Sequence, residues 1–244
     1  MAVRGKAGAV KWFALFLAVV ALTACNYTEV KRETGYKGKA RLNPWLAAER
    51  FCEPYEGEVR SLASWTEPTQ DDAVWFVPAS LLSNESFTRR LDSWMVDGGH
   101  LIVMVDHSSA ETNDWSGYSP PPSPDPALLD LLENCGITLT HSEGSANKVK
   151  AKRIKFDGET FKVNASSNSS VALDDDKPGI FASVERGDGR LTVLTDGRLF
   201  RNRWIGEKDH AALLDALILA TDYTGNIGFT RGSCLLYTSD AADE

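Results

Sequence analysis

Asp106-His107-Ser108-Ser109 is the stretch of this chain whose residue types could do chemistry, with a carboxylate, an imidazole and two hydroxyls in succession. An aspartate can orient a histidine, and a neutral imidazole can take the proton of a serine or a water, which is how a hydrolase works. Asp196 and Asn202 form a second polar group, and Asn43 with Gly38 a third. Open α/β sheets bind ligands outside the carboxyl ends of their strands. If these groups converge there, Asn43, Asp106, His107, Asp196 and Asn202 are the candidate ligand-binding residues. The competing reading is structural and is the one we favour: Asp106 caps a backbone turn, Asp196-Gly197 is an ordinary turn, and Asn202 supports a loop. His100 and His210 read as structural or solvated, and His141 has no partner visible in the sequence. The Lys148–Lys155 run reads as a solvated strand face. No spacing resembles a metal site, so no metal or other cofactor is expected.

Positioning such groups requires alternating strands and helices. Asn43-Pro44 is expected to open a helix, with Asn as N-cap and Pro at the first helical position, and Pro54 to stop it. Val59–Ala63 and Ala73–Val77 read as strands. Asn84 or Ser86 then caps a helix carrying Phe87, Leu91, Trp94 and Met95, and Gly98-Gly99 ends it. His100–Val105 follows as a central strand that delivers Asp106 and His107 at its carboxyl end. Residues 109–124 form a long loop with Trp115, Tyr118 and the run Pro120-Pro121-Pro122, able to cover the sheet edge or to bind protein or glycan. A helix from Asp125-Pro126 to Cys135, a strand 137–140, a β-rich insertion over 141–181, a hairpin around Gly187-Asp188-Gly189 and a helix 208–221 complete the reading. The pattern is that of an α/β, doubly wound, mostly parallel sheet, flavodoxin-like, with a small β-rich insertion.

The first 25 residues resemble an export signal. Arg4, Lys6 and Lys11 precede the apolar run Trp12–Thr23, which ends at Leu22-Thr-Ala-Cys25. That ending resembles a bacterial lipobox, which would make Cys25 a lipidation site. The alternative is an uncleaved anchor, with Lys11 taken into the span or snorkelling. Either topology anchors the chain in the bacterial inner membrane and exports residues 26–230 as one domain. Setting aside residues 1–25 and 234–244 removes three charges of each sign and leaves the net at −8, which argues against a nucleic-acid partner. Cys52 and Cys135 are expected as two buried thiols, although an oxidising compartment permits them to pair. Cys234–Glu244 (CLLYTSDAADE) can be encoded by the read-through of a transposase-based sequencing adapter, so it is expected to be non-native, with the natural chain continuing past Ser233.

Several segments together resemble a known family. They are Gly35-Tyr-Lys-Gly38-Lys-Ala-Arg-Leu-Asn43-Pro44 with Leu46–Arg50, Leu91-Asp-Ser-Trp94 through Gly98-Gly99-His-Leu-Ile102, and Asp196, Asn202 and Asp209-His-Ala-Ala-Leu-Leu214. Over roughly residues 30–225 the chain resembles the bacterial family of domain of unknown function 4350, whose domain is similar in fold to class I glutamine amidotransferases. The resemblance implies a transmembrane helix on each side of the domain and a role among envelope membrane proteins, with a MoxR-type ATPase system as a possible partner. It implies no activity. An amidotransferase needs a cysteine on a tight, glycine-flanked turn, and the corresponding turn, Val105–Ser109, has neither. A non-catalytic binding or scaffold domain is the resulting expectation, with a periplasmic hydrolase using Asp106 and His107 as the alternative.

Overall fold

Strands that are apolar at every position need cover on both faces, and two segments here meet that description: Asp72–Pro78 and His100–Asp106 are buried along their whole length. The structure, a computed structural model, describes residues 35–63, 66–109, 114–115, 123–142, 148–174, 176–222 and 224–231. The N-terminal apolar run with Cys25, Tyr118 and the 234–244 tail lie outside the described residues. In chain order the elements begin with helices α1 (Lys39–Leu42) and α2 (Leu46–Cys52), strands β1 (Val59–Leu62) and β2 (Asp72–Pro78), helix α3 (Glu85–Val96) and strand β3 (His100–Asp106). There follow helix α4 (Pro126–Glu133), strands β4 (Ile137–His141), β5 (Lys150–Phe156), β6 (Glu159–Ala165), β7 (Ser169–Leu173), β8 (Phe181–Arg186) and β9 (Gly189–Asp196), helix α5 (His210–Ile218) and strand β10 (Asn226–Thr230).

The main sheet has the order β1-β10-β2-β3-β9-β8, parallel throughout except for the β8–β9 hairpin at one edge. Side chains alternate between its faces. Val74, Phe76, Ile102, Met104 and Leu194 meet α2, α5 and the β5–β6 hairpin on one side. Trp75, Val77, Leu101, Val103 and Val193 meet α3 and α4 on the other. The expected α/β, mostly parallel sheet is therefore present, and the β-rich insertion is real: β5 pairs with β6 and β4 with β7, both antiparallel. Phe76 stacks on Phe229 at 4.5 Å and meets Phe200 edge-on at 5.7 Å. Each of these buried rings contributes roughly 1.5–3 kcal/mol through the area removed from water.

Local signals place α3 between β2 and β3. The Asn84 side chain accepts from Phe87 N–H at 3.1 Å, and Gly98 takes a left-handed φ of 114° just past the helix. Two expectations need correction. Asn43 is not the N-cap of a helix beginning at Pro44: α2 begins at Leu46, because Asn43 Oδ1 accepts from Trp45 N–H and closes a local turn first. A central strand, β10, also lies beyond the last element expected from the sequence. Its apolar run is interrupted by Gly228, where a Cβ would come within 2.7 Å of the Trp75 indole nitrogen. The glycine that hides the strand is what lets it dock.

Buried histidines join the layers. His100 Nδ1 lies 2.8 Å from Leu217 O, which only accepts, so Nδ1 carries the proton and Nε2 accepts from Thr192 Oγ1 at 2.8 Å. His210 is held the same way, with Nδ1 donating to Trp204 O and Nε2 accepting from Asn164 N–H. Burial holds both imidazoles below their ordinary pKa, His100 at about 3. Cys52 and Cys135 are free thiols, and burial pushes Cys52 up to about 12.

Candidate functional site

Asp106 and Asp196 are register partners at the carboxyl ends of β3 and β9, so two carboxylates converge where the sequence placed a site. Each is fully engaged. Asp106 Oδ2 accepts from Ser167 Oγ (2.7 Å), Asn168 N–H (2.8 Å) and Ser169 N–H (3.2 Å), and its Oδ1 accepts from Ser169 Oγ (2.9 Å). Asp196 accepts from Ser166 N–H (2.7 Å) and binds Arg198 through Nε, Nη2 and the backbone N–H. A carboxylate offers about four lone-pair sites, and these two use them on the chain itself. Together they strap the 166–169 segment of the insertion across the ends of the central strands.

His107 follows in a left-handed conformation, φ 56°. Burial lowers its pKa against the opposing pull of Asp196, and the ring is neutral at pH 7. Ser108, next in line, donates to Val105 O at 2.9 Å, so its hydroxyl proton points at a backbone carbonyl. Gly197 packs against this turn, and a Cβ there would sit 3.1 Å from Ser108 Cα.

Asn43 and Asn202 come together separately. Asn202 Nδ2 donates to Asn43 O at 2.7 Å, its N–H donates to Pro44 O, and its Oδ1 accepts from Ala47 N–H. Asn43 Nδ2 donates to Glu49 and to Ser61 Oγ. These contacts staple the segment before α2 to the loop after β9. The five candidates thus form two neighbourhoods, one around the carboxylates and one around the asparagines.

Sequence reasoning missed the cations that hold this end together. Arg201, 1 % exposed, donates through Nε to Asp114 Oδ1 at 2.7 Å, and through Nη1 to Ser109 O. Tyr36 Oη donates to the other oxygen of Asp114, and the Arg201 guanidinium lies over the Trp45 ring. Trp115 packs on Tyr36 and under Arg203, so on the expected binding loop this aromatic serves as cover. The arginines at 198, 201 and 203, just past a strand ending in aspartate, were the available signal.

A cleft of about 530 Å³ opens beside the strap. Ser142, Lys148, Lys150, Lys152, Arg153 and Ser166–Ser170 are among its lining residues, whereas Asp106, His107 and Ser108 do not line it. The charged residues of the Lys148–Lys155 run are exposed, as the solvated-face expectation has it. Lys150 and Lys152 fall on the side of β5 that carries Ile154 and Phe156 into the core. Among the described residues no cluster of His, Cys, Asp or Glu could hold a metal ion, and no helix is long and apolar enough to cross a membrane.

Among solved structures, the fold is similar to the mmIFT52 N-terminal domain at 13% identity and TM-score 0.39, covering 65% of this chain and 83% of that one. It is also similar to part of the catalytic mutant of Gan42B, a GH42 β-galactosidase from G. stearothermophilus, at 13% identity and TM-score 0.36, over 62% of this chain. A β-galactosidase from Bacillus circulans sp. alkalophilus matches at 13% identity and TM-score 0.33, over 60% of this chain. In both glycosidases the match spans 22% of their length. No curated protein matches the chain. The model of one family, described as "Domain of unknown function (DUF4350)", matches residues 43–218. That span runs from the asparagine staple to the end of α5 and takes in both carboxylates, so the chain belongs to the DUF4350 family.

Proposed function

We propose that this chain is a non-catalytic, membrane-anchored extracytoplasmic domain that serves as a binding or scaffold component of a bacterial envelope assembly. The observation that carries the non-catalytic part is the saturation of Asp106, whose carboxylate accepts four hydrogen bonds from the 167–169 segment. A carboxylate so engaged has no lone pair left with which to orient His107 as a base. The membrane part rests on the basic start and apolar run of residues 4–25, and the envelope partners, a MoxR-type ATPase system among them, rest on the family resemblance. One feature favours the alternative of a periplasmic hydrolase. His107 is held neutral in a left-handed conformation, which costs roughly 1–3 kcal/mol and tends to occur where function requires it.

A turnover assay on the purified full chain tests the choice, using glutamine and nitrophenyl esters of carboxylic and phosphoric acids. The scaffold reading expects no rate above buffer. Turnover abolished in a folded His107→Ala variant would sink it in favour of the hydrolase. Labelling with a fatty-acid analogue, with and without Cys25→Ser, tests the anchor. Lost label means a lipoprotein, and an unlabelled parent chain that stays in the membrane fraction means an uncleaved anchor.

A further inference from the structure

The basic cleft shares the Ser166–Ser169 segment with the strap, but Asp106 and Asp196 do not line it and the scaffold reading does not depend on it. Its walls carry Lys148, Lys150, Lys152 and Arg153, and among the described residues no aspartate or glutamate lines it. This occurs in a chain whose formal net charge is −8. None of the four cations has an ion-pair partner among the described residues, whereas the arginines at 60, 186, 190, 198 and 201 are all paired.

The register of β5 argues against a chance solvated face. Lys150 pairs with Ala165 and Lys152 with Val163, both of them buried, so the two lysines extend the core-facing row of Ile154 and Phe156. Apolar residues would continue that row, yet the row turns cationic where the cleft begins. The opposite wall is the 166–170 segment, held rigid by its hydrogen bonds to Asp106 and Asp196. Convergent ammonium groups over hydroxyl-bearing residues suit a phosphoryl group, for which lysine acts as a compact point charge. A volume of about 530 Å³ admits a ligand of sugar-phosphate or headgroup size.

We propose that this cleft binds a phosphate-bearing anion through Lys148, Lys150, Lys152 and Arg153. The phosphoryl group belongs either to a soluble phosphorylated compound or to an anionic lipid headgroup.

The test uses the full chain in neutral detergent. It is titrated calorimetrically with inorganic pyrophosphate, and separately with short-chain phosphatidylglycerol against phosphatidylcholine. Saturable pyrophosphate binding is expected, weakening as salt rises and falling at least tenfold in Lys150→Ala/Lys152→Ala. Lys155→Ala, on the other side of the strand, is expected to change it less than twofold. Preference for phosphatidylglycerol over phosphatidylcholine that disappears in the double variant assigns the headgroup as the source. Pyrophosphate binding without that preference assigns a soluble ligand. No saturable binding of either probe would overturn the proposal. So would a loss in Lys155→Ala equal to that in the double variant, because the binding would then be diffuse surface charge.

Discussion

The strap over Asp106 and Asp196 and the cleft beside it share the Ser166–Ser169 segment, yet they treat charge in opposite ways. In the strap the carboxylate oxygens accept from the chain itself, and both side chains are nearly inaccessible. In the cleft four cations stand at a solvent-open wall with no carboxylate lining it among the described residues. A polar cluster that is internally complete stabilises a fold. One that is incomplete and open has capacity left for something else. In the sequence both read as structural, the Asp-His-Ser run as a turn and the lysine run as a solvated face.

The largest expected effect lies at the deepest part of the complete side. Arg201→Met leaves Asp114 buried without its cation and is expected to cost roughly 3–5 kcal/mol in urea denaturation. Adding Asp114→Leu should recover most of that loss. If the double variant is no better than the single, the pair is not acting as a unit. Asp106→Ala removes the acceptor shared by four donors of the 167–169 segment, at about 3 kcal/mol, read as a lower calorimetric Tm. A Tm unchanged within a degree would mean that the strap is decoration.

Acid comes next. His100, with a folded pKa of about 3, stays neutral in the fold while the unfolded chain takes up its proton near pH 6.5. Its contribution is thus complete above pH 6.5 and is lost as pH falls towards 3, by roughly 2–3 kcal/mol between pH 6.5 and 4.5. His107 and His210 are shifted the same way and add to the slope. A flat urea midpoint over that range would contradict their neutral burial. The smallest effect belongs to the cleft. Lys150→Ala/Lys152→Ala should leave stability within about 0.5 kcal/mol, because these charges hold nothing in the fold. A loss comparable to that of Asp106→Ala would erase the distinction between the two regions.

What could be read from the sequence follows the range of the interactions. The β2–α3–β3 unit was legible because its signals are local: the Asn84 cap, the Phe87–Leu91–Met95 face and Gly98 all act within a few residues. The convergence of Asp106 with Asp196 was legible from strand order. What each carboxylate does there was not, since Asp106 is satisfied by a serine-rich turn some 60 residues away and Asp114 by Arg201 at a separation of 87. Asn43 looked like a helix cap because the same side-chain oxygen that caps a helix also closes a two-residue turn. The exposure of the lysines was legible, but alternation shows which residues share a face and not whether that face borders a cleft.

β10 has one more consequence. It is the last of the described strands, yet it lies between β1 and β2, which do not pair with each other. During synthesis β1 therefore waits without a neighbour, and the sheet stays split until residues 226–230 emerge. Its assembly resembles the closing of a zip from the far end more than the stacking of layers. The slow pairing of strands distant in sequence falls at the final step. A chain stopped before Asn226 would keep β2, β3, β9 and β8 but lose the seam that joins the two sides.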